Sequence, residues 1–370
     1  MPPCWGGLVG KLSLAREKLS LAIKKFEHPE TKHLVDHVRA DGEQDLSIRP
    51  NALFSIGYQS QMAEQTLAQI ERDMTQVRDL WQALVYPWGV ATLTQDDPNF
   101  YPYHEHWHYY HKDAAYHNGT VWPWLNGIAI QQMIRFNQVD LAWRLFENMN
   151  RQALHEGAVG SLAECADALP IDGATWSRMT GTFLQAWSNA EQLRVWQECF
   201  LGFFAMSGSQ IRIATFRSRL PETVKDVASR FRVADGQIDG HFHINGERRW
   251  RFTWLGKGNI FLTINALMDH EFTDMTLLDA GHTVEFDLRD GRIFSQIFDA
   301  NGVMMEGSRG ENVPLPNSNP DTSSDQIEWP TKAQLRALEQ RIFANLDFCQ
   351  PRLAPGLKSL SVRHDPPLTY

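Results

Sequence analysis

The spacing of apolar residues changes once along this chain, near Gly208, and that change limits what it can fold into. Before it, apolar residues recur every three or four positions. Leu12, Ala15, Leu19, Ala22, Ile23 and Phe26 form one stripe, closed by Pro29. Leu67, Ile70, Met74, Val77 and Leu80 form a second, and Leu141, Ala142, Leu145, Phe146 and Met149 a third. Leu184, Trp187, Ala190, Leu193 and Val195 form a fourth. This period marks amphipathic helices, and most of these residues are assigned to core. After Gly208 come short runs rich in β-branched and aromatic residues, at 210–217, 238–244, 250–254, 259–264, 283–288 and 292–298. Glycines punctuate them, and Asp290-Gly291 is a hairpin signal. A stretch rich in Pro, Asn, Ser and Asp reads as a linker. A last amphipathic helix carries Leu335, Leu338, Ile342 and Phe343, and the tail after Gln350 is expected to be poorly ordered. The expected division is a helical region over 1–207, a small antiparallel β domain over 208–306, and a linker, short helix and tail over 307–370.

Charge and cysteine usage narrow the partners. The net charge is −9 over 370 residues with no long basic run, which argues against a nucleic acid and favours a neutral or cationic ligand. No apolar run reaches the roughly 20 residues of a membrane helix. The start, Met1 to Gly7, lacks a basic stretch followed by an apolar one, so no secretory signal is expected. Cys4, Cys165, Cys199 and Cys349 show no paired or metal-ligand spacing, as is usual in a reducing compartment, and a cytoplasmic location follows. His104, His106, His108, His111 and His117 fit no tight ligand pattern, so neither a metal nor a cofactor is expected.

The chemistry sits between the helices. Tyr116 to Gly127 (Tyr-His-Asn-Gly-Thr-Val-Trp-Pro-Trp-Leu-Asn-Gly) gathers two indoles, a phenol, an imidazole, amides and a hydroxyl ahead of an apolar helix. Aromatic platforms beside hydrogen-bonding groups suit a sugar, which has apolar CH faces and many hydroxyls. The alternative is a buried aromatic cluster capping that helix. Upstream, Tyr101, Tyr103, His104, His106, Trp107, His108, Tyr109, Tyr110 and His111 suggest the wall of a polar cleft. In Asp45 to Asn51, Arg49 can fork two hydrogen bonds to a hydroxyl pair or orient a carboxylate, and Pro50 can open a helix at no hydrogen-bonding cost. In Gly160 to Asp167, Glu164 stands between small residues in a loop before a helix, a suitable place for a catalytic carboxylate or simply a solvated one.

Taken together, Asp45–Asn51, Tyr116–Gly127, Gly160–Glu164 and Gln185–Ser188 resemble, in order and spacing, the C-terminal catalytic region of glycogen debranching enzymes, the amylo-α-1,6-glucosidase type, over about residues 11–206. The resemblance implies a mainly α architecture, an (α/α)6 toroid, and inverting hydrolysis of α-1,6 branch glucose on glycogen or a related α-glucan. It implies Glu164 as general base. Arg49, Asn51, Tyr116, His117, Thr120, Trp122 and Trp124 would line the glucose subsite, with Trp187 added from the Gln-Ala-Trp-Ser string. Inversion needs a second, protonated carboxyl about 6.5–9.5 Å away across the sugar. The family's Thr-Trp-Met-Asp string for that acid is absent from this sequence. The chain is therefore expected to carry part of a toroid, with the acid outside it or replaced by Asp97, Glu105 or Asp113. The alternatives are a non-catalytic glucan-binding or assembly module and a related toroidal glucosidase or trehalase.

Overall fold

Thr66 and Gln69 start the most regular helix, Leu67–Leu84, with a reciprocal cap: the Thr66 hydroxyl accepts from the Gln69 amide, and the Gln69 side chain accepts from the Thr66 amide. Met74, Val77, Leu80, Trp81 and Leu84 turn one face of it into core, and Val85 ends it by going extended. The structure is a computed structural model. It describes residues 14–344 except 16, 63–64, 106–111, 172–173, 209–210, 246, 268–270, 290–291 and 310–330. His106, His108, His111, Trp107, Tyr109, Tyr110, the Asp290-Gly291 signal, most of the proposed linker and the tail lie outside the described residues. The described chain forms two units. One runs up to Gln132 and includes Leu145–Asn189 and the stretch from Gln334. The other joins Met133–Arg144 to Ala190–Ala333.

The mainly α toroid expected from the resemblance is not what the chain forms. Helices make up 35% and strands 30% of it, and strands intrude between the helices. Val85–Tyr86, Gly89–Ala91, Val121–Trp122, Cys165–Ala166 and Met179–Thr180 pair in that order as a five-stranded antiparallel sheet. A strand of two or three residues leaves no alternation to read, so these segments look like loops in the sequence. One row across this sheet, Ala91, Val121, Ala166 and Met179, enters a core cluster with Tyr86, Trp88, Leu93 and Phe100. Adjacent side chains alternate faces, so Trp122, Cys165 and Thr180 point the other way, toward the candidate site.

Two of the four apolar stripes are not core. Leu19 and Phe26 on the first, and Leu184, Trp187 and Leu193 on the fourth, are exposed, while Val195 is buried. The third stripe is core: Ala142, Leu145, Phe146 and Met149 are buried on helix Val139–His155. Among the described residues, no helix is long and apolar enough to cross a membrane.

The strand-rich unit is larger than a small antiparallel domain and is not purely antiparallel. Six strands, Asp226–Val233, Gly236–Asn245, Glu247–Leu255, Thr283–Arg289, Arg292–Phe298 and Met304–Arg309, form one antiparallel sheet. Glu271–Leu278, Ile260–Leu267, Arg212–Phe216 and Phe203–Ser207 form a second, with Ile260–Leu267 parallel to Arg212–Phe216. The two sheets meet through aromatic rings. Phe216 of the smaller sheet stacks on Phe252 of the larger at 4.1 Å between centroids and lies 4.9 Å from Phe231.

Phe216 is fully buried at the centre of these rings. Phe216→Ala is expected to destabilise the chain by about 3–5 kcal/mol through lost transfer energy and an unfilled cavity. Urea unfolding checks this: an unchanged midpoint would remove the ring cluster as the source of cohesion between the sheets.

Candidate active site

Glu164 sits on a bend just before strand Cys165–Ala166. Its amide donates to the Thr182 carbonyl at 2.7 Å, and its Oε2 accepts from the Thr182 amide at 3.1 Å. Its Oε1 accepts a short hydrogen bond from the Tyr116 hydroxyl. The register that pairs Cys165 with Thr180 sets Gly181 opposite Glu164 when continued by one residue. Gly181 has φ +70°, and a Cβ there would lie 2.7 Å from Glu164 Oε2 and 3.2 Å from Glu164 Cβ. The carboxylate thus occupies space that only a glycine leaves open.

Three donors around one carboxylate favour its charged form. Burial raises the Glu164 carboxyl, but the Tyr116 hydroxyl, the Thr182 amide and hydroxyl and the nearby His104 outweigh it and hold it below the usual glutamate range. Burial, and then the bond to Glu164, push the Tyr116 phenol upward, so it remains a donor. Burial and the Glu164 charge do the same to the Cys165 thiol, which argues against Cys165 as a nucleophile.

Aromatic rings continue outward from this carboxylate. His104 stacks on Tyr116 at 5.1 Å, and its Nδ1 lies 3.0 Å from the Thr180 hydroxyl. Tyr116 meets Trp122 at 4.6 Å and His117 at 4.9 Å, and His117 stacks on Trp122 at 5.5 Å. Trp187 lies 6.0 Å from Trp122 and is 47% exposed, so the set ends in an open indole face. The Trp122 indole N–H donates to the Tyr116 carbonyl at 2.9 Å, which fixes its orientation.

Tyr116, His117 and Trp122 therefore come together with Glu164 and Trp187, which lie more than 40 residues further along the chain. Arg49 stands behind them. Its Nη1 donates to the Thr92 carbonyl at 3.2 Å and to the His117 carbonyl, and its Nη2 donates to Asn118 Oδ1 at 2.7 Å. Its Nε lies 3.8 Å from Asp36, whose other oxygen accepts from the Asn51 side chain at 2.7 Å. Arg49 and Asn51 thus hold the aromatic loop through protein contacts. Two expected subsite residues lie elsewhere. Thr120 is fully buried, and its hydroxyl donates to the Ala115 carbonyl at 2.8 Å. Trp124 packs on Phe54 at 5.8 Å.

Of the candidate acids, Asp97 caps its own turn, accepting from the Asn99 amide at 2.8 Å. Glu105 is exposed beside His104. Asp113 is exposed in the first turn of helix Lys112–Tyr116, three residues before Tyr116. The sequence places His104 in a cleft wall and Asn118 in the aromatic string without naming their partners Tyr116 and Arg49, and it does not single out Asp36, Gly181 or Thr182. Only Gly181 carried a local signal, as a glycine beside the paired Thr180. Among the described residues, no group of three or more His, Cys, Asp or Glu is placed to hold a metal ion.

Residues 13–194 match the family model described as amylo-α-1,6-glucosidase, so this stretch belongs to that family, the C-terminal region of glycogen debranching enzymes. Most of the strand-rich unit lies outside the matched stretch. No curated protein matches the chain.

Two substitutions test the setting of Glu164 through one readout. Tyr116→Phe removes a donor to the charged form, and Gly181→Ala drives a methyl group into it. Each should raise the Glu164 pKa, toward the ordinary glutamate range. The native pKa is depressed, so the associated stability is present above the unfolded value and lost as pH falls through the folded one; both variants should shrink it. Site-resolved NMR titration of the Glu164 carboxyl checks this. An unmoved titration in either variant would show that the removed contact does not set the charge.

Proposed function

We propose that this amylo-α-1,6-glucosidase segment is a glycosidase site for α-1,6-linked glucose on glycogen or a related α-glucan, and that Glu164 is its general base in an inverting reaction. The observation that carries the reading is the Tyr116–Glu164 hydrogen bond at one end of the His104–Tyr116–Trp122–Trp187 ring set. A base in an inverting reaction must be ionised and must draw a proton from water on one sugar face. A pKa held below the usual glutamate range suits Glu164 to hold charge near neutral pH, and the water would approach the carboxylate edge left open by Tyr116 and Thr182. The exposed Trp187 indole suits the CH face of a glucose unit, and His117 offers a hydrogen-bonding edge beside it. Arg49 acts here as a positioning residue. In this reading the proton donor across the sugar comes from outside the element that bears Glu164.

A second reading, a glucan-binding module without hydrolysis, is favoured by one observation: the Arg49 donors face protein carbonyls and an amide, not an open subsite. Kinetics separates the two. Glu164→Gln keeps shape and removes the base, so glucose release from a panose-type or limit-dextrin substrate should fall by about 10²–10⁴-fold. Saccharide binding, followed by quenching of tryptophan fluorescence, should persist in Glu164→Gln and weaken in Trp187→Ala. Undiminished hydrolysis by the Gln variant removes Glu164 from the chemistry. Saccharide binding without any hydrolysis, in a form of the protein that includes the proton donor, selects the module.

A further inference from the structure

The two sheets of the strand-rich unit treat their outer faces differently. On the six-stranded sheet the outward positions form a charge ladder: Arg230 pairs with Asp239 at 2.8 Å, Arg249 with Asp287 at 2.6 Å, Arg251 with Glu285 at 3.5 Å, and His241 with Asp226. That is the polar outer face a two-layer sandwich presents to water.

On the four-stranded sheet the outward positions are apolar. The register aligns Leu277, Phe261, Ile213 and Met206 across all four strands in one row, and Met275, Thr263, Thr215 and Phe204 in the next. None of these eight residues is charged. Phe204, Met206, Met275, Leu277 and Phe261 are 60%, 57%, 62%, 45% and 37% exposed, and Ile211 beside them is 55% exposed. The inward face of the same sheet is already filled by Ala214, Phe216, Ile260, Leu262, Ile264 and Leu278, all fully buried. This sheet is therefore apolar on both sides, the pattern of a layer packed between two others.

We propose that the outer face of the four-stranded sheet is a dimer interface, and that its occupant is the same face of a second copy of this chain. The area fits. At roughly 200 Å² per large side chain, the exposed fractions leave about 600 Å² of apolar surface on one copy. That reaches the upper end of what isolated monomers expose, roughly 300–600 Å². Two such faces together cover about 1,200 Å², the lower bound of stable specific interfaces. The chemistry fits as well. An uncharged face of Phe, Met, Ile, Leu and Thr has no charge pattern to match on a foreign partner, and its flat pair of rows stacks on itself about two-fold symmetrically, sheet on sheet at about 10 Å. An area at the low end of the range calls for a test that extends to high micromolar concentration.

Sedimentation equilibrium of the full chain from about 1 to 200 µM tests the proposal, with circular dichroism melts as a fold control. The parent should form a dimer within this concentration range. Met275→Lys and, separately, Met206→Lys place a charge on opposite edge strands of the face, and each should weaken the dimer about 100-fold or more with an unchanged melt. If one variant does not fold, the other still reads the interface. Arg230→Ala, on the charged sheet, should leave the dimer intact. A parent that stays monomeric at 200 µM overturns the proposal, whether another part of the chain or another protein covers the face. So does a dimer that both lysine variants leave unchanged, because its contact then lies elsewhere.

Discussion

Arg49 holds the rest of the candidate site in register. Its guanidinium reaches from the start of helix Asn51–Met62 to the Thr92 and His117 carbonyls and the Asn118 side chain, while Asp36 sits beside its Nε. Charge-assisted hydrogen bonds of this kind are about twice as strong as neutral ones, and the planar fork fixes direction as well as distance. The loop it grips carries His117 and Asn118 and leads into the short strand Val121–Trp122. A loop whose carbonyls face a half-buried, multiply bonded cation has little freedom to drift. The ring contacts of Tyr116, His117 and Trp122 inherit that rigidity.

The five-stranded sheet is the other half of the frame. Each of its strands is too short to be stable alone, yet together they separate two environments across one layer of backbone. On one side Ala91, Val121, Ala166 and Met179 lie in the core with Trp88, whose indole N–H donates to the Ala168 carbonyl at 3.1 Å. On the other side lie Trp122 and Thr180, and Glu164 stands at the strand end where Gly181 faces it. Asp167 closes this edge. Buried, and pushed upward by that burial against the pull of Arg178, it accepts from the His104 amide at 2.8 Å and from Arg178 at 3.0 Å. The His104 ring is thereby set against Tyr116. Only the carboxylate of this pair is buried, the Arg178 side chain being 40% exposed, so the arginine is the partner that keeps Asp167 from standing uncompensated in the core.

What the sequence disclosed followed physical period. Helix Leu67–Leu84 was readable because Met74, Val77 and Leu80 repeat at helical spacing, and strands 250–254 and 283–288 because Trp250, Phe252 and Trp254, and Val284, Phe286 and Leu288, alternate. The site was readable as composition: Tyr116, His117, Trp122 and Glu164 were singled out, and they meet. Thr120 and Trp124 share that string, but position within a string does not say which way a side chain points. The short strands left no alternation to detect, so the frame read as loops and the toroid seemed natural. Strand Asp226–Val233 was missed because its turn is Ala234-Asp235, with Ala234 at φ +52°, where glycine or asparagine is the usual signal. Strand Phe203–Ser207 lies at the end of the helical region expected over 1–207; Gly202, at φ +69° with Arg217 backbone where a Cβ would go, is where the helix stops.

Strand Glu271–Leu278 was missed for a different reason, which connects the folding code to the assembly of this unit. A half-exposed strand is recognised by polar residues on every second position. Met275 and Leu277 occupy outward positions here, so the expected alternation is absent. Strands Asp226–Val233 and Thr283–Arg289 of the six-stranded sheet do alternate, with Ala228, Arg230 and Arg232 facing out on one and Glu285 and Asp287 on the other. A sequence that keeps strict alternation on one sheet of a sandwich and abandons it on the other is not short of polar residues. It distributes them according to what each face meets. The pattern that made this strand unreadable as the edge of a lone two-layer domain is the pattern of a strand with a further layer to bury.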